Sequence, residues 1–469
     1  MDTSLLNAGD TSWMLMSTAL VMLMTPGLAF FYAGLVKKRN VVNTLMMSMI
    51  ALGVISLVWM GVGYSLAFAP GNPWVGGFDF IALSGVDMQP QEGSTIPHNL
   101  FMGFQMMFAI ITPALISGAL VGRMKFTSYI LFIILWSIGI YSPLCHWVWG
   151  GGWLAEHGAL DFAGGTVVHI SAGVSALVAA MVLGPRDPKE RVAAHAHDVP
   201  MTVLGAALLW MGWFGFNAGS ALAADGIAAH ALVTTHLAAG AGLATWVLLD
   251  LVLKKRAGAV GASIGAVVGL VTITPAAGFV TVTGAVVMGI LGASASYATL
   301  RFLSRRNFDD TLDVFACHGV GGIVGSILTG VFASAKVNPG SDNGLIYGNI
   351  DLMLPQTEAT LATILFAGAG TALLLKLLEM TVGIRVQSPE EDNLDRAQHS
   401  ESAYATHSNL PLGQLVIQHG LASQKDIESC LSLQKKEENP EPLGSMLIQR
   451  GLLTESLLQQ LLLTQALSH

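Results

Sequence analysis

The sequence predicts an all-α polytopic membrane protein with eleven transmembrane helices and a small cytoplasmic all-α domain. Three observations lead to this fold class. First, 53% of the 469 residues are hydrophobic and only 11% are charged, whereas about 25% of the residues of a soluble domain are charged. Second, long apolar segments recur through the first 382 residues. Third, Lys and Arg cluster after alternate segments, as expected for a chain that crosses a bilayer repeatedly.

Each apolar segment approaches the roughly 20 residues that a helix needs to cross the hydrocarbon core of a lipid bilayer. We place the eleven segments at 11–35, 43–70, 98–121, 127–146, 164–183, 201–222, 231–253, 258–276, 279–300, 317–335 and 357–382. Many of the 53 glycines fall inside them, and small residues allow helices to pack closely in lipid. Residues 1–382 are therefore expected to form one transmembrane domain.

Basic residues predict the orientation of these segments. They follow the odd-numbered ones: Lys37, Lys38, Arg39, Arg123, Lys125, Arg186, Lys189, Arg191, Lys254, Lys255, Arg256, Arg301, Arg305, Arg306 and Arg385. The alternate loops carry only Lys336. By the positive-inside rule the N-terminus is outside and the C-terminus is cytoplasmic. Residues 1–12 lack the basic start of a signal peptide, so we expect the first helix to act as its own insertion signal.

With this orientation, segments one to five and six to ten run in opposite directions. The pattern predicts an inverted 5+5 repeat followed by one additional helix. His169 in segment five and His318 in segment ten occupy corresponding positions. Transporters built from such repeats hold their site near the midplane, at the repeat interface.

The two histidines are the first candidate site residues. An ionisable residue inside a membrane-spanning segment is costly, and it usually marks a pathway or a site. Two imidazoles in contact can share a proton and relay it, since each ring offers a donor and an acceptor. The alternative is two separate buried histidines, each bonded to a backbone carbonyl.

A polar, aromatic and glycine-rich stretch runs from Tyr141 to Ser171 and contains a further candidate. Asp161 lies eight residues before His169. Its carboxylate could coordinate a cation, or it could accept backbone N–H bonds as a helix cap does. We favour the cap.

Aromatic residues near the segment ends allow two interpretations. They are Phe104, Phe108, Trp149, Trp213 and Phe216. Such residues usually form interfacial belts, and the pattern alone favours that role. A cage of aromatic faces could instead hold a small cation. Ser220 could bond a substrate or its own helix, and spacing does not decide between these.

Chemistry of other kinds is not indicated. There is no nucleophile–base set, so we do not expect an enzyme. Cys145, Cys317 and Cys430 are scattered, which predicts neither a metal site nor a disulfide framework. The net charge of −8 argues against a nucleic-acid partner.

The composition changes after residue 382. Residues 383–409 are polar and acidic and are interpreted as a cytoplasmic segment and linker. Residues 410–469 repeat internally, because Pro411–Ser423 matches Pro442–Thr454 at an offset of 31. Each copy predicts a short helix, a glycine C-cap, a Ser or Thr N-cap and a longer amphipathic helix. The repeat therefore predicts a paired helical module.

Four stretches resemble the signature segments of the ammonium transporter (Amt/Mep/Rh) family. They are Trp149-Gly-Gly-Gly, His157 to His169, Gly212 to Ser220, and Asp313-Val-Phe-Ala-Cys-His-Gly. The resemblance runs from about residue 10 to residue 404. It implies eleven helices with a pore in each subunit of a homotrimer, placed in the lipid bilayer of a bacterial inner membrane. It also implies ammonium or ammonia as substrate, no cofactor, and a PII-type signalling protein as a candidate partner.

The resemblance assigns roles to site residues. Phe108, Trp149 and Ser220 match the outer ammonium-recruitment site, which Asp161 supports. Phe108 and Phe216 match the stacked rings that close the pore, with Phe104 beside them. The pore histidines are His169 and His318, and its neighbouring lining residues are Tyr141 and Trp213. Deprotonation with passage of neutral ammonia suits an apolar inner path, and passage of intact ammonium ion remains the alternative.

The tail resembles another family, the MshEN-type domain of type II secretion and type IV pilus ATPases, which binds cyclic di-GMP. The matching positions are Leu412, Gly413, Gly420, Leu421, Gln434, Leu443, Gly444, Gly451, Leu452 and Gln465. The leading Arg of that motif is Pro411 in one copy and Pro442 in the other, which removes a residue suited to phosphate. The resemblance implies a transporter regulated by cyclic di-GMP. The alternatives are a protein-docking tail and an ammonium sensor that signals through it.

Overall fold

The computed structural model describes residues 6–186, 196–306, 308–404, 411–434 and 441–466. The chain divides into two compact units, Met1–Glu401 and Ser402–His469. Lys189 and Arg191, the residues 405–410 and the side chain of Gln465 lie outside the described part. Each unit is considered by itself below.

The first unit is built from apolar helices. Within the described residues, ten are long and apolar enough to cross a membrane and one is shorter: α1 Ala8–Leu35, α2 Lys38–Phe68, α3 His98–Leu120, α4 Phe126–Glu156, α5 Gly165–Leu183, α6 Val199–Ala221, α7 Gly226–Lys254, α8 Ala259–Ile273, α9 Val282–Arg305, α10 Phe315–Phe332 and α11 Met353–Thr381. The prediction of a helical membrane protein is confirmed. The shorter helix, α8, has 15 residues and spans roughly 22 Å, because the chain turns after Ile273.

One predicted boundary was wrong. Segment four was placed at 127–146, whereas the helix runs to Trp149. After a break at residues 150–152, the short helix Trp153–Glu156 completes the span named α4. The residues that look like a polar interruption are used to anchor an outer hairpin, formed by β1 Gly71–Asn72 and β2 Val75–Gly76. Both ring nitrogens of His146 lie 2.9 Å from backbone carbonyls, those of Ala67 and Asn72. The N–H of the ring has a carbonyl acceptor in either tautomer, so the polar ring is accommodated inside the helix, which continues to Trp149.

Helices α5 and α10 cross at very short range, and glycine makes this possible. A Cβ on Gly173 would meet the backbone of Gly319. A Cβ on Gly322 would lie 2.9 Å from the Gly165 carbonyl oxygen and 3.1 Å from Cβ of His169. Each helix thus presents, four residues after its histidine, a glycine to the other helix, in the manner of small-residue packing in membranes.

The two helices also begin alike. Each starts in a π-helical segment, Gly165–Ile170 in α5 and Phe315–Gly319 in α10, and each segment carries the histidine. Wide turns of this kind often occur at functional sites. An aspartate lies eight residues before each histidine and accepts backbone N–H bonds at the start of its π-helical segment. This correspondence is what an inverted repeat would produce.

The segment after α11 lies against the ends of other helices. It contains α12 Ser388–Glu391 and α13 Leu394–His399. The Arg385 guanidinium donates to the carbonyls of Leu183 and Pro185, both at 2.8 Å. The Asp395 carboxylate accepts the Asn43 N–H at 2.9 Å, at the start of α2. The chain leaving the membrane part is therefore fastened to α2 and to the end of α5.

The second unit contains α14 Leu412–Gln418, α15 Gln424–Gln434, α16 Leu443–Gln449 and α17 Glu455–Ala466. Each copy of the repeat forms one short and one longer helix. The short helices end at glycines with φ of +68° and +71°, and both ends have the Schellman pattern of bonds. The side chains of Ser423 and Asp426 bond each other's backbone N–H, which is a capping box with Asp in place of Glu.

Candidate functional site

An outer chamber of about 290 Å³ opens between the aromatic residues. It is lined by Phe68, Phe101, Gln105, Phe108, Val148, Trp149, Phe162, Ser220 and Leu222. The rings of Phe108 and Trp149 meet edge to face, with centroids 5.9 Å apart. The Ser220 hydroxyl donates to the Phe216 carbonyl at 2.8 Å, so its lone pairs remain available. Aromatic faces and a hydroxyl acceptor suit a small cation.

Gln105 is a lining residue that the sequence reasoning missed. Its side chain is 8% exposed, and its carbonyl oxygen has no hydrogen-bond partner among the described residues. A buried amide oxygen without a partner is costly, so it offers a further acceptor to a cation in the chamber. Its position between Phe101 and Phe108, four residues after one and three before the other, was the available signal, since this spacing shares a helix face.

A pair of phenylalanines separates the chamber from the interior. The rings of Phe108 and Phe216 lie with centroids 4.2 Å apart at an angle of 30°. Phe104 packs edge-on against Phe108, at 4.9 Å, and it is fully buried. Phe108 lines the chamber and Phe216 the inner cavity, whereas Phe104 lines neither. The closing contact is therefore between Phe108 and Phe216.

Behind this pair lies a cavity of only about 10 Å³, the size of a single water. Its lining is apolar apart from two histidines and the Trp213 indole: Met24, Leu28, Phe31, Ile111, Leu115, Val168, His169, Leu209, Trp213, Phe216, Val267 and His318. The Trp213 Nε1–H donates to the Thr274 hydroxyl at 2.9 Å. The cavity is thus narrow, and the only free polar groups among its described lining residues are the imidazoles.

The histidines contact each other directly. Nδ1 of His318 lies 3.3 Å from Nδ1 of His169, so one nitrogen donates and the other accepts. Nε2 of His169 is buried without a partner among the described residues. If His169 donates through Nδ1, its Nε2 is an acceptor in the cavity, and in the other tautomer it is a donor. The pair can therefore take up a proton at one ring and release it at the other.

Asp161 caps the start of α5 through its carboxylate. Its carboxylate accepts the backbone N–H groups of Gly164 at 2.8 Å, Gly165 at 2.6 Å, Thr166 at 2.8 Å and Val167 at 3.3 Å, together with the Thr166 hydroxyl. Burial raises the pKa of the Asp161 carboxyl, and the bonds from Thr166 and the glycines oppose that rise. The geometry is that of a helix cap.

The same residue positions the tryptophan of the chamber. The Trp149 Nε1–H donates to the Asp161 backbone carbonyl at 2.9 Å. Asp161 therefore connects the start of α5 to the aromatic wall. Its carboxylate lines neither cavity.

Comparison with known proteins places this arrangement in a family. The Ammonium Transporter Family model matches residues 12–404. The chain belongs to the ammonium transporter family. The ammonium transporter of Bacillus subtilis (strain 168) is 47% identical over 399 residues, covering 84% of this chain and 98% of the relative. Ammonium transporter Amt1 of Archaeoglobus fulgidus is 45% identical over 400 residues, covering 84% and 99%.

Solved structures of this family share the fold. Candida albicans Mep2 superimposes with a TM-score of 0.80 at 32% identity, covering 86% of this chain and 94% of that one. A sensor Amt protein superimposes with a TM-score of 0.76 at 26% identity, covering 83% and 98%. Because the family and these curated relatives are named as transporters, the prediction that the chain is not an enzyme is confirmed.

Tyr141, expected beside the pore, is a buried aromatic residue next to α2. It is not among the residues that line the two cavities described above. Its ring packs against Trp59, with centroids 6.0 Å apart, and Trp136, at 6.3 Å. The side chain is fully buried, in the packing between α2 and α4. Its role beside the pore stays a prediction.

Three carboxylates, those of Asp309, Asp310 and Asp313, lie in the chain just before α10. Asp310 accepts the Phe315 N–H at 2.8 Å, at the start of α10. Burial raises the pKa of Asp310 to about 6 and that of Asp313 to about 7. Asp309 is different, since the Arg186 guanidinium bonds both of its carboxylate oxygens, at 2.6 and 3.0 Å. Proton acceptors thus lie before the first residue of the helix that carries His318.

Proposed function

We propose that this chain transports ammonium across a bacterial inner membrane, through a pore in each subunit of a homotrimer. The observation that carries the proposal is the direct Nδ1–Nδ1 contact of His169 and His318, at 3.3 Å. The contact lies in an otherwise apolar cavity with room for one small molecule, about 10 Å³. The cavity lies behind an aromatic chamber suited to a cation.

Ammonium enters from the chamber in this proposal. An ion that leaves water needs compensating interactions, and the chamber supplies them. The faces of Phe108 and Trp149 attract a cation, and oxygens of Ser220 and Gln105 accept its N–H groups. Asp161 acts through position, because its five hydrogen bonds and its carbonyl hold α5 and Trp149 in place.

A neutral molecule fits the inner cavity better than an ion. Its apolar lining cannot replace the hydration of ammonium, whereas ammonia carries no charge. We therefore propose that ammonium loses its proton near Phe108 and Phe216. Ammonia then passes along the cavity and the proton passes through His169 and His318. If the intact ammonium ion passed, the histidines would only accept hydrogen bonds from it and would not relay a proton.

The orientation of the chain is part of the proposal. The ends of α1, α3, α7 and α9 carry basic residues, which favours a cytoplasmic location for these ends and an outside location for the chamber. The basic end also holds the segment that leads to the tail. A PII-type protein remains a candidate partner at this face.

The relay is tested in proteoliposomes that contain the full chain. His169→Ala should lower the ammonium-driven current on the order of 100-fold, the usual contribution of a proton-transferring side chain. The matched control is His157→Ala, since His157 is exposed and bonds Glu358 at 3.2 Å, away from both cavities. If the ammonium-driven current of His169→Ala equals that of His157→Ala, transport does not need the histidine relay and the proposal fails.

We further propose that the tail binds cyclic di-GMP and regulates the pore. The two repeat copies fold as equivalent helix pairs, and the motif glycines serve their packing. A Cβ on Gly413 would lie 2.8 Å from Ile427, and one on Gly444 would lie 2.7 Å from Leu458. The motif's leading Arg is absent from both copies. Arg450 is the only arginine of the second unit, so it is the residue suited to a phosphate.

The contacts of residues 383–401 with α2 and the end of α5 suggest how the tail could act on the pore. Arg385 bonds the carbonyl of Leu183, the last residue of α5, and α5 carries His169. Movement of the segment would therefore act on the helix that holds half of the histidine pair. A ligand can shift the pore only if it binds its two states unequally.

Calorimetric titration of cyclic di-GMP into the full chain tests this regulation. A chain that ends at Glu401 is the matched control, and cyclic di-AMP is the control ligand. Saturable heat with the full chain alone, together with a changed ammonium current, is expected. If saturating ligand gives no heat and leaves the current unchanged, cyclic di-GMP regulation fails and the alternative of a protein-docking tail is favoured.

A sensor function is the second candidate, favoured by the likeness to a solved sensor Amt protein. In that case the chain would bind ammonium and signal through the tail. Transport and sensing predict different ammonium currents for the unmodified protein. A sensor without flux would bind ammonium and carry no current in proteoliposomes.

A further inference from the structure

A buried carboxylate at the start of α1 joins two segments of the chain that lead to chamber residues. Asp10 is the third residue of α1 and is only 8% exposed. Its Oδ2 accepts the Thr95 hydroxyl at 2.5 Å, and its Oδ1 accepts the Ala224 N–H at 2.8 Å. Asp10 is not among the residues that line the chamber. One side chain thus connects two segments that are distant in sequence.

The first of these segments leads into the chamber wall formed by α3. Thr95 lies three residues before the first residue of α3. Its backbone carbonyl also accepts the Asn7 N–H at 2.9 Å, so the start of α1 holds Thr95 at two points. The chamber residues on α3 are Phe101, Gln105 and Phe108. The position of this wall is therefore set partly from α1.

The second segment is the connection between α6 and α7. Ser220 lies in the last turn of α6 and Leu222 follows that turn, and both line the chamber. Leu222 has a φ of +59°, a left-handed conformation that a residue with a side chain keeps only when its surroundings hold it. The bond from the Ala224 N–H to Asp10 fixes the chain two residues further on.

Helix α1 also contacts the end of α6 directly. The Trp13 Nε1–H donates to the Ala218 carbonyl at 3.3 Å. A Cβ on Gly219 would lie 2.6 Å from the Cβ of Ser17, so the backbone beside Ser220 packs against α1. The first turns of α1 therefore form the surface on which the Ser220 segment is located.

Ordinary helix chemistry does not account for both bonds of Asp10. An acidic residue in the first turn of a helix is stabilised by the partial positive charge there, but that effect needs neither burial nor a bond to another segment. The cap of α1 is provided by Asn7, whose side-chain oxygen accepts the N–H groups of Gly9 and Asp10 at 2.8 and 3.1 Å. The Asp10 carboxylate is thus used for the two remote contacts.

We infer that Asp10 is a positioning residue for ammonium recruitment, a role that rests on the transport function proposed above. It holds the wall that carries the Ser220 hydroxyl in register with the wall that carries Gln105 and Phe108. These groups must contact one small cation together, so a shift of either wall weakens binding. The carboxylate acts through its two bonds rather than through its charge, because Thr95 and Ala224 occupy both of its oxygens.

The test measures ammonium-driven current against ammonium concentration in proteoliposomes that contain the full chain. Asp10→Ala removes both bonds. It should raise the apparent KM on the order of 10-fold, the value of one hydrogen bond to a charged group, with an unchanged maximal current. Asp10→Asn should restore the KM of the parent, because its amide oxygen can accept the Ala224 N–H and its NH2 group can donate to the Thr95 hydroxyl.

The matched control is Asp225→Ala, at the residue beside Ala224. Asp225 caps α7 by accepting the Ala228 N–H at 2.9 Å, so its loss weakens a helix start without breaking either bond of Asp10. This control should keep the KM of the parent. Thr95→Val removes only the bond on the α3 side and should raise the KM less than Asp10→Ala does. It carries the same test if Asp10→Ala does not fold.

Two results would overturn the inference. An apparent KM of Asp10→Ala equal to that of Asp225→Ala would mean that the two bonds do not position the chamber walls. A KM of Asp10→Asn as high as that of Asp10→Ala would mean that the negative charge attracts ammonium and the bonds do not matter. The proposed function fails separately, when the parent carries no ammonium current. Dissociation constants for ammonium from calorimetry then replace the KM in the same comparison.

Discussion

Asp161 offers the sharpest test of how the pore entrance is held. Its carboxylate accepts four backbone N–H groups at the start of α5 and the Thr166 hydroxyl. Asp161→Ala removes all five bonds together. The four N–H groups lie in residues that are themselves buried, so the first turn of α5 loses its partners.

The size of the effect follows from these bonds. A buried donor left without a partner costs about 1–3 kcal/mol. Taking the lower bound for each N–H group, the loss is on the order of 4 kcal/mol, a large part of an ordinary folding free energy of about 5–15 kcal/mol. We expect the protein to remain folded, with α5 frayed at the turn that carries His169 and with Trp149 released from the Asp161 carbonyl.

Two measurements check this expectation, thermal unfolding of the full chain and ammonium current in proteoliposomes. The control is Asp225→Ala, another helix cap, which accepts only the Ala228 N–H at 2.9 Å. It should cost about 1 kcal/mol and leave the current intact. Asp161→Ala should unfold at a clearly lower temperature and abolish the current. Equal melting temperatures and equal currents for the two variants would refute the reasoning.

Three further expectations follow from the structure. His318→Glu places a carboxyl in the pore, so it should change the discrimination between ammonium and potassium, measured as relative current. Gly173→Ala puts a methyl group against the α10 backbone. It should lower stability by about 1–3 kcal/mol and reduce current, whereas Gly53→Ala, with open space around it, should do neither. Since burial raises the pKa of Asp310 to about 6, its contribution to stability falls as pH rises from about 4 to about 6. The melting temperature of Asp310→Asn relative to the parent should rise over that range.

Each of these has a contrary outcome. Unchanged selectivity in His318→Glu would count against the histidine pair as the filter. If Gly173→Ala matched Gly53→Ala in melting temperature and current, the close crossing of α5 and α10 would not matter. A pH-independent difference for Asp310→Asn would mean that its carboxyl titrates alike in folded and unfolded protein.

Local features of this protein could be predicted from sequence because their causes are local. A membrane-spanning helix must be apolar along its own length, so composition located the eleven helices. The glycine ends of the tail repeat, Gly420 and Gly451, followed from the backbone conformation that ends a helix. The end of the helix in α4 could not be predicted, because the His146 ring is accommodated by carbonyls distant in sequence, those of Ala67 in α2 and Asn72 in the hairpin.

The site required the tertiary structure, although sequence and resemblance supplied most of its residues. Phe104 and Phe108 lie four residues apart on one helix and both are buried, yet only packing decides that Phe108 lines the chamber. Packing likewise places Tyr141 against Trp59 and Trp136, which its sequence position did not indicate. In the sequence Gln105 is an ordinary polar residue. Only the structure shows that its side-chain oxygen is buried in the chamber wall.

The sequence by itself determined that two histidines lie at corresponding positions in two halves of a membrane protein. It also determined the small residue four positions after each of them. Only the tertiary structure decided that the imidazoles touch, across a separation of 149 residues. The physical reason is that contact depends on how closely α5 and α10 approach, and this depends on Gly173 and Gly322 each packing against the other helix. Neither helix alone contains that information.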